Sequence, residues 1–364
     1  MNRIPLTRLS LGDRELQSIR TVLESGHIVS GPVVQAFESG ISKFLEIDDA
    51  VACSSGTSAI QLALLALDIG PGDEVVVPDF CFPSVASAVL HTGADVVLCD
   101  VDPHTFNMDA DRVQRALSSR TKAVLAVHQF GLPCRAISIG DIAGCAVVED
   151  SACALGAQGE VGKCGTQTIV GCFSFHPRKI LTTAEGGLVT SSDPEILERC
   201  RGLRSHGYHN VGGVGCFEEL GIAARMTDVH AAIGLVQLES LDELIAGRAR
   251  SAAMYREQLA DIPEIDLHSS VWNPNRVYQS MVVLLTPRQD RNRVVAKLIE
   301  KGIESTIGTF SIHRQKPFLD CRVAADGLKG SIMAAEQSIT LPMWPDMDES
   351  LVSRVVQAVK EVIG

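Results

Sequence analysis

The chain has 364 residues, 46% hydrophobic and 21% charged, which excludes a disordered, collagen-like or coiled-coil protein as its overall class. Lys and Arg number 32 against 44 Asp and Glu, a net charge of −12 without a long basic run, which argues against binding to nucleic acid or a membrane surface. No apolar run reaches the roughly 20 residues of a membrane span, and the N-terminal MNRIPLTRLSLGDREL lacks the apolar stretch of a signal peptide, so a cytoplasmic protein is expected.

In chain order, short apolar β-rich runs at 51–53, 75–77, 96–99, 123–127, 145–148, 169–173 and 188–190 read as strands. Most are continuous rather than alternating, as in strands of a mainly parallel sheet that is covered on both faces. Helices are expected between them at 58–67, where Ile60, Ala63, Leu64 and Leu67 share a face, at 84–91 and at 109–117. This alternation predicts an α/β domain over residues 1–245, with an N-terminal arm. A long helical pattern follows Met226 through Val229, Ile233, Val236, Leu238, Leu241 and Leu244. Beyond it, a strand at 278–285, a helix at 291–301 and a C-terminal helix at Glu349–Ile363 predict a smaller α+β domain over 246–364.

Eleven cysteines are scattered, with no CxxC pair, and their odd number does not suit a complete disulfide framework. Free buried thiols rather than a metal site are expected.

Four stretches could carry chemistry. In VACSSGTSAI a strand ends, Ser54, Ser55, Gly56 and Thr57 turn, and a helix begins. The helix N-terminus and the hydroxyls suit a phosphate, and the same residues suit an ordinary N-cap. In VVPDFCFPSVAS, Phe82 beyond a strand end offers a flat surface for a ring or ordinary core packing. In CAVVEDSA a strand delivers Glu149 and Asp150 at its end; adjacent residues face opposite ways, so only one carboxylate need enter a site. In GCFSFHPRKILTTAEGG, Lys179 follows a strand and a His-Pro-Arg turn, where it is a candidate nucleophilic amine or a surface lysine. Together, a lysine, an acid, an anion cradle and an aromatic face are what pyridoxal 5′-phosphate needs.

The stretches SGHIVSGPVVQAFE, SSGTSAIQLALLAL, GPGDEVVVPDFCFPSVAS, TKAVLAVHQFGLP, VVEDSACALGA, CFSFHPRKILTTAEGG, LRSHG and ARMTDVHAAIGLVQLESL occur in an order and spacing that resemble the DegT/DnrJ/EryC1/StrS family of sugar aminotransferases over nearly the whole chain. The resemblance implies an aspartate-aminotransferase-like fold and a homodimer with shared active sites. It implies that Lys179 forms the Schiff base with the cofactor and Asp150 pairs with its pyridine nitrogen. Phe82 would stack on the ring, and Gly56, Thr57 and Ser174 would hold the phosphate. Two positions depart from the family pattern: Cys153 stands where many members have Gln. Ala223 stands where many have an Asn that reaches the phosphate of the neighbouring subunit, leaving His206 and Arg225 as nearby candidates.

The activity so implied is transfer of an amino group from glutamate to a nucleotide-linked keto-deoxysugar. The alternatives are a keto-cyclitol as acceptor, a sugar dehydratase and a non-catalytic regulator. In the dehydratases a histidine replaces the lysine, whereas here Lys179 holds that position and His176 lies three residues earlier. Lys301, His313, Arg314 and Lys316 form a local basic cluster, read as a groove for the diphosphate, with His313 and Arg314 the favoured contacts.

Overall fold

The computed structural model describes residues 3–267 and 272–364. All seven expected apolar runs form strands: Ala50–Cys53 (β1), Glu74–Pro78 (β2), Asp95–Cys99 (β3), Thr121–Val127 (β4), Ala146–Asp150 (β5), Val170–Ser174 (β6) and Gly187–Thr190 (β7). With Arg322–Val323 (β8) they make an eight-stranded sheet in the order β1-β7-β6-β5-β4-β2-β3-β8. β7 runs antiparallel to both neighbours and every other pair is parallel. β1, β2 and β7 are buried at every position, as their unbroken apolar runs require. The carboxyl ends of β1, β2, β4, β5 and β6 therefore open on one edge, where open α/β sheets gather their ligands.

The expected helices form at Gly56–Ala66, Ser84–Leu90 and Ala110–Ala116. Two N-terminal helices, Asp13–Ser25 and Pro32–Leu45, carry punctuation that the apolar pattern does not show. Gly26 closes the first in the left-handed region at φ 74°, and Pro32 opens the second at a position where no amide donor is needed. Both pack against Asp228–Glu239. The long helical pattern after Met226 is two helices, Asp228–Glu239 and Leu241–Leu259, broken at Ser240. No helix among the described residues is long and apolar enough to cross a membrane.

The C-terminal region holds an antiparallel sheet in the order Ile265–Asp266, Met281–Leu285, Ser338–Leu341, Thr306–Ile307. Tyr255, Leu298, Ile339, Val352 and Val359 fill its core with the helices Leu241–Leu259, Arg291–Glu300 and Glu349–Ile363. The strand expected from 278 starts only at Met281, because the Arg248 guanidinium takes the carbonyls of Tyr278 and Gln279.

The expected division after residue 245 is crossed in both directions. Ile4 pairs with Ile303 and lies in the C-terminal core. In return, β8 extends the large sheet, Phe310–Ser311 pairs with Phe80–Cys81, and Ile312, Phe318 and Leu328 pack into the N-terminal core. These returns bring residues 308–313 beside the carboxyl edge of the sheet.

Candidate active site

A cavity of about 490 Å³ opens at that edge, and Gly56, Thr57, Phe82, Asp150, Ser174 and Lys179 all line it. Its size is that of a small-molecule site, about 300–1,000 Å³.

At one end is the start of the helix Gly56–Ala66. The Ser55 hydroxyl accepts from the Ser58 amide at 3.1 Å, so the ordinary N-cap is present. It satisfies one donor only. Among the described residues the amides of Gly56 and Thr57 have no acceptor, and they sit at the positive end of the helix dipole beside the Thr57 and Ser174 hydroxyls. Cap and anion cradle are thus the same turn. A Cβ at Gly56 would lie 2.7 Å from Ser174 Cβ. Gly56→Ala is therefore expected to displace Ser174 and weaken cofactor binding by about 10-fold or more, read from a spectrophotometric titration of the apoprotein.

β5 separates its two terminal carboxylates as strand alternation requires. Glu149 is fully buried on the far side. It accepts from His128 Nε2 at 2.9 Å, from the amides of Gly165 and Gln167 at 2.8 Å and from that of Thr168 at 3.0 Å. The Cys134 amide donates to His128 Nδ1 at 2.8 Å, which leaves Nε2 as the donor to Glu149. Burial opposes the Glu149 charge, but His128 and these amides outweigh it and hold its carboxyl below the usual range. Glu149 is a staple for the loop between β5 and β6. Asp150, on the cavity side, accepts from the Ala152 amide at 3.0 Å. Burial pushes its carboxyl up, opposed by the Ala152 amide and the Lys179 charge. A cation brought against Asp150 would relieve that burial cost.

Lys179 stands on the turn that follows β6, its amide donating to the His176 carbonyl at 2.8 Å. Its Nζ donates to Cys153 Sγ at 3.2 Å. Cys153, which sequence reasoning treats only as a lost Gln, is therefore the partner of the candidate amine. Phe82 is 63% exposed and meets Phe310 edge-on, with centroids 6.3 Å apart. An anion at Gly56 and Thr57, a cation against Asp150, an aldehyde for Lys179 and a flat ring beside Phe82 together describe pyridoxal phosphate. The residues present fit it.

The basic cluster meets carboxylates. His313 Nδ1 contacts Asp79 Oδ2 at 2.8 Å and its amide donates to Asp79 Oδ1 at 2.7 Å. Arg314 pairs with Glu336 at 2.8 Å and Lys301 with Glu361 at 2.7 Å. His313, Arg314 and Lys301 thus each meet a carboxylate that lies far away in sequence or on another element. His313, through fully buried Asp79, ties the returning segment to the large domain. His206 sits at φ 67° with its amide on the Ile222 carbonyl at 3.2 Å, and Arg225 bridges Cys53. Ala223 forms an isolated bridge with Ser205. All eleven cysteines are free. His176, Arg178, Glu185 and Gln279 also line the cavity; of these, His176 and Arg178 are visible in the sequence as the turn before Lys179.

The model of the DegT/DnrJ/EryC1/StrS aminotransferase family matches residues 10–360. The aminotransferase TlmJ from Streptoalloteichus hindustanus is 32% identical, with 99% of this chain and 98% of that chain covered and a TM-score of 0.92. DesV of S. venezuelae, in complex with a ketimine intermediate, is 31% identical over 99% of this chain and 98% of that one, with a TM-score of 0.92. The PLP-form of Spr1654 from Streptococcus pneumoniae is 25% identical over 100% of both chains, with a TM-score of 0.91.

Proposed function

Because the chain belongs to the DegT/DnrJ/EryC1/StrS aminotransferase family and is a pyridoxal-phosphate-dependent aminotransferase, we propose that it moves an amino group from glutamate to a nucleotide-linked keto-deoxysugar. The observation that carries this reading is the convergence of Lys179, Asp150 and the start of the helix Gly56–Ala66 on one strand-end cavity.

Lys179 Nζ would hold the cofactor through its aldehyde. The bound cofactor supplies an aldehyde that takes up the amino group and a ring that accepts the electron pair released at the substrate carbon. The amides of Gly56 and Thr57, with the Thr57 and Ser174 hydroxyls, hold its phosphate. Asp150, unpaired except for the Ala152 amide, keeps a proton on the ring nitrogen. Phe82 would cover a face of the ring. With its amine free, Lys179 Nζ would take the proton from the substrate carbon and return it on the other side of the transfer. Cys153 Sγ, 3.2 Å from Nζ, would keep the free amine in reach. Acceptor and donor use the same residues in opposite directions.

The working unit of this reading is a homodimer. The hairpin Tyr208–Val211 and Val214–Phe217 leaves Val214 and Phe217 about 70% exposed, with Leu220 beside it almost wholly so, an apolar surface that suits burial against a second copy.

The test is the acceptor half-reaction. The pyridoxamine form is mixed with a panel of nucleotide keto-sugars and keto-cyclitols while the absorbance of the aldehyde form is followed. Return of the aldehyde band with a nucleotide keto-sugar is the expected result. Return with a free keto-cyclitol alone would replace the acceptor assignment.

A further inference from the structure

The cavity around Lys179 holds a cation that this chemistry does not use. Arg178 lines the wall beside Lys179. Among the described residues no carboxylate pairs with its guanidinium and no acceptor bonds to it. Arg199, Arg201, Arg204, Arg314 and Arg322, by contrast, each reach an acidic side chain. The Arg178 backbone is also held. Pro177 fixes the preceding turn, the Arg178 amide donates to His176 Nδ1 at 3.2 Å, and the Arg178 carbonyl accepts from the Gln279 side-chain amide. A side chain that starts from a fixed backbone loses less freedom when it engages a ligand.

Gln279 supplies a second observation. It lines the same cavity and is 6% exposed. The Arg178 carbonyl can only accept, so the amide must present its NH2 there, and its oxygen is left buried with no donor. A buried acceptor without a donor is costly. A molecule that carries anionic oxygens beside a hydroxyl or ammonium donor would satisfy both side chains at once. Glu185 lines the cavity as well, outside ion-pair distance of Arg178.

We propose that Arg178 is a specificity residue that binds the anionic oxygens of a substrate, with Gln279 Oε1 accepting from a neighbouring donor of the same molecule. This deepens the proposed function and rests on it for the two candidate sources: a carboxylate of the amino donor and the diphosphate of the nucleotide sugar. The planar guanidinium fork suits either.

The experiment compares the wild-type holoenzyme with Arg178→Gln and Arg178→Lys. Two probes need no turnover: glutarate for the carboxylate and inorganic pyrophosphate for the diphosphate, both by titration calorimetry. Arg178→Gln is expected to weaken one of them by about 10- to 100-fold, and Arg178→Lys by less. In the half-reactions the loss falls on KM more than on kcat. A loss confined to glutarate and glutamate assigns the carboxylate; a loss confined to pyrophosphate and the nucleotide sugar assigns the diphosphate. Equal binding of both anions by wild type and Arg178→Gln, with the cofactor spectrum and Tm preserved, overturns the proposal, as does failure of the wild type to bind either anion. Loss of anion binding in Arg178→Gln from an enzyme that turns over no nucleotide sugar would leave the Arg178 site standing and sink the acceptor assignment instead.

Discussion

Lys179→Ala is expected to reduce transamination by about 10⁴-fold or more, because one substitution removes both the covalent hold on the cofactor and the base that moves the substrate proton. The fold should tolerate the change. Lys179 Nζ contributes a single hydrogen bond, to the Cys153 thiol, and the strands on either side of the turn are anchored by their own ladders. Far-UV circular dichroism and Tm close to wild type, with both half-reactions lost, are the expected pair of results. Retention of more than about a hundredth of the wild-type rate would place the proton transfer on another group.

Asp150→Asn is expected to lower the rate by about 10²–10³-fold while the cofactor still binds, the usual loss when one charge placed for the transition state is removed. Stability separates this role from a structural one. Burial raises the Asp150 pKa in the protein without its cofactor. The stability that such a group contributes is present below its ordinary pKa and lost as pH rises through the raised value. At neutral pH the ionised carboxylate is therefore a burden that Asn does not carry, and the apo variant should melt no lower than the apo wild type. Glu149→Gln should behave in the opposite way. Its pKa is lowered, so its contribution is present at neutral pH and lost as pH falls. Replacing it breaks the buried pair with His128 and the ties to the loop at Gly165–Thr168, and costs roughly 3–5 kcal/mol of stability. The folded fraction should keep most of its rate. A catalytic loss larger for Glu149→Gln than for Asp150→Asn would exchange the two roles.

Much of this is legible in the sequence because the sheet is buried on both faces. A strand covered on two sides must be apolar throughout, so β1 to β7 are marked by composition alone, and the residues that follow each run are marked with them. Gly56, Asp150, Ser174 and Lys179 all sit at or just after such a run, and parallel pairing brings those ends to one edge. β8 has two residues and no periodicity to display; it exists only because Leu98 and Val97 offer an edge. The partners of the basic cluster around His313 are hidden for a related reason. Cations are visible along the chain, but their partners are set by folding: Asp79 lies 234 residues from His313. Arg178 and Gln279 are 101 residues apart, and neither is conspicuous until the returning chain places one beside the other. Local chemistry followed by a strand end is readable; chemistry made by juxtaposition is not.

The central claim is that Lys179, on the turn after β6, is the amine that carries pyridoxal phosphate. Borohydride reduction of the holoenzyme, proteolysis and peptide mass mapping test it most directly. The account predicts one modified peptide, with the reduced cofactor on Lys179 of HPRKILTTAEGG and no such peptide after pretreatment with excess glutamate, which frees the amine. A reduced cofactor attached to any other lysine would contradict it.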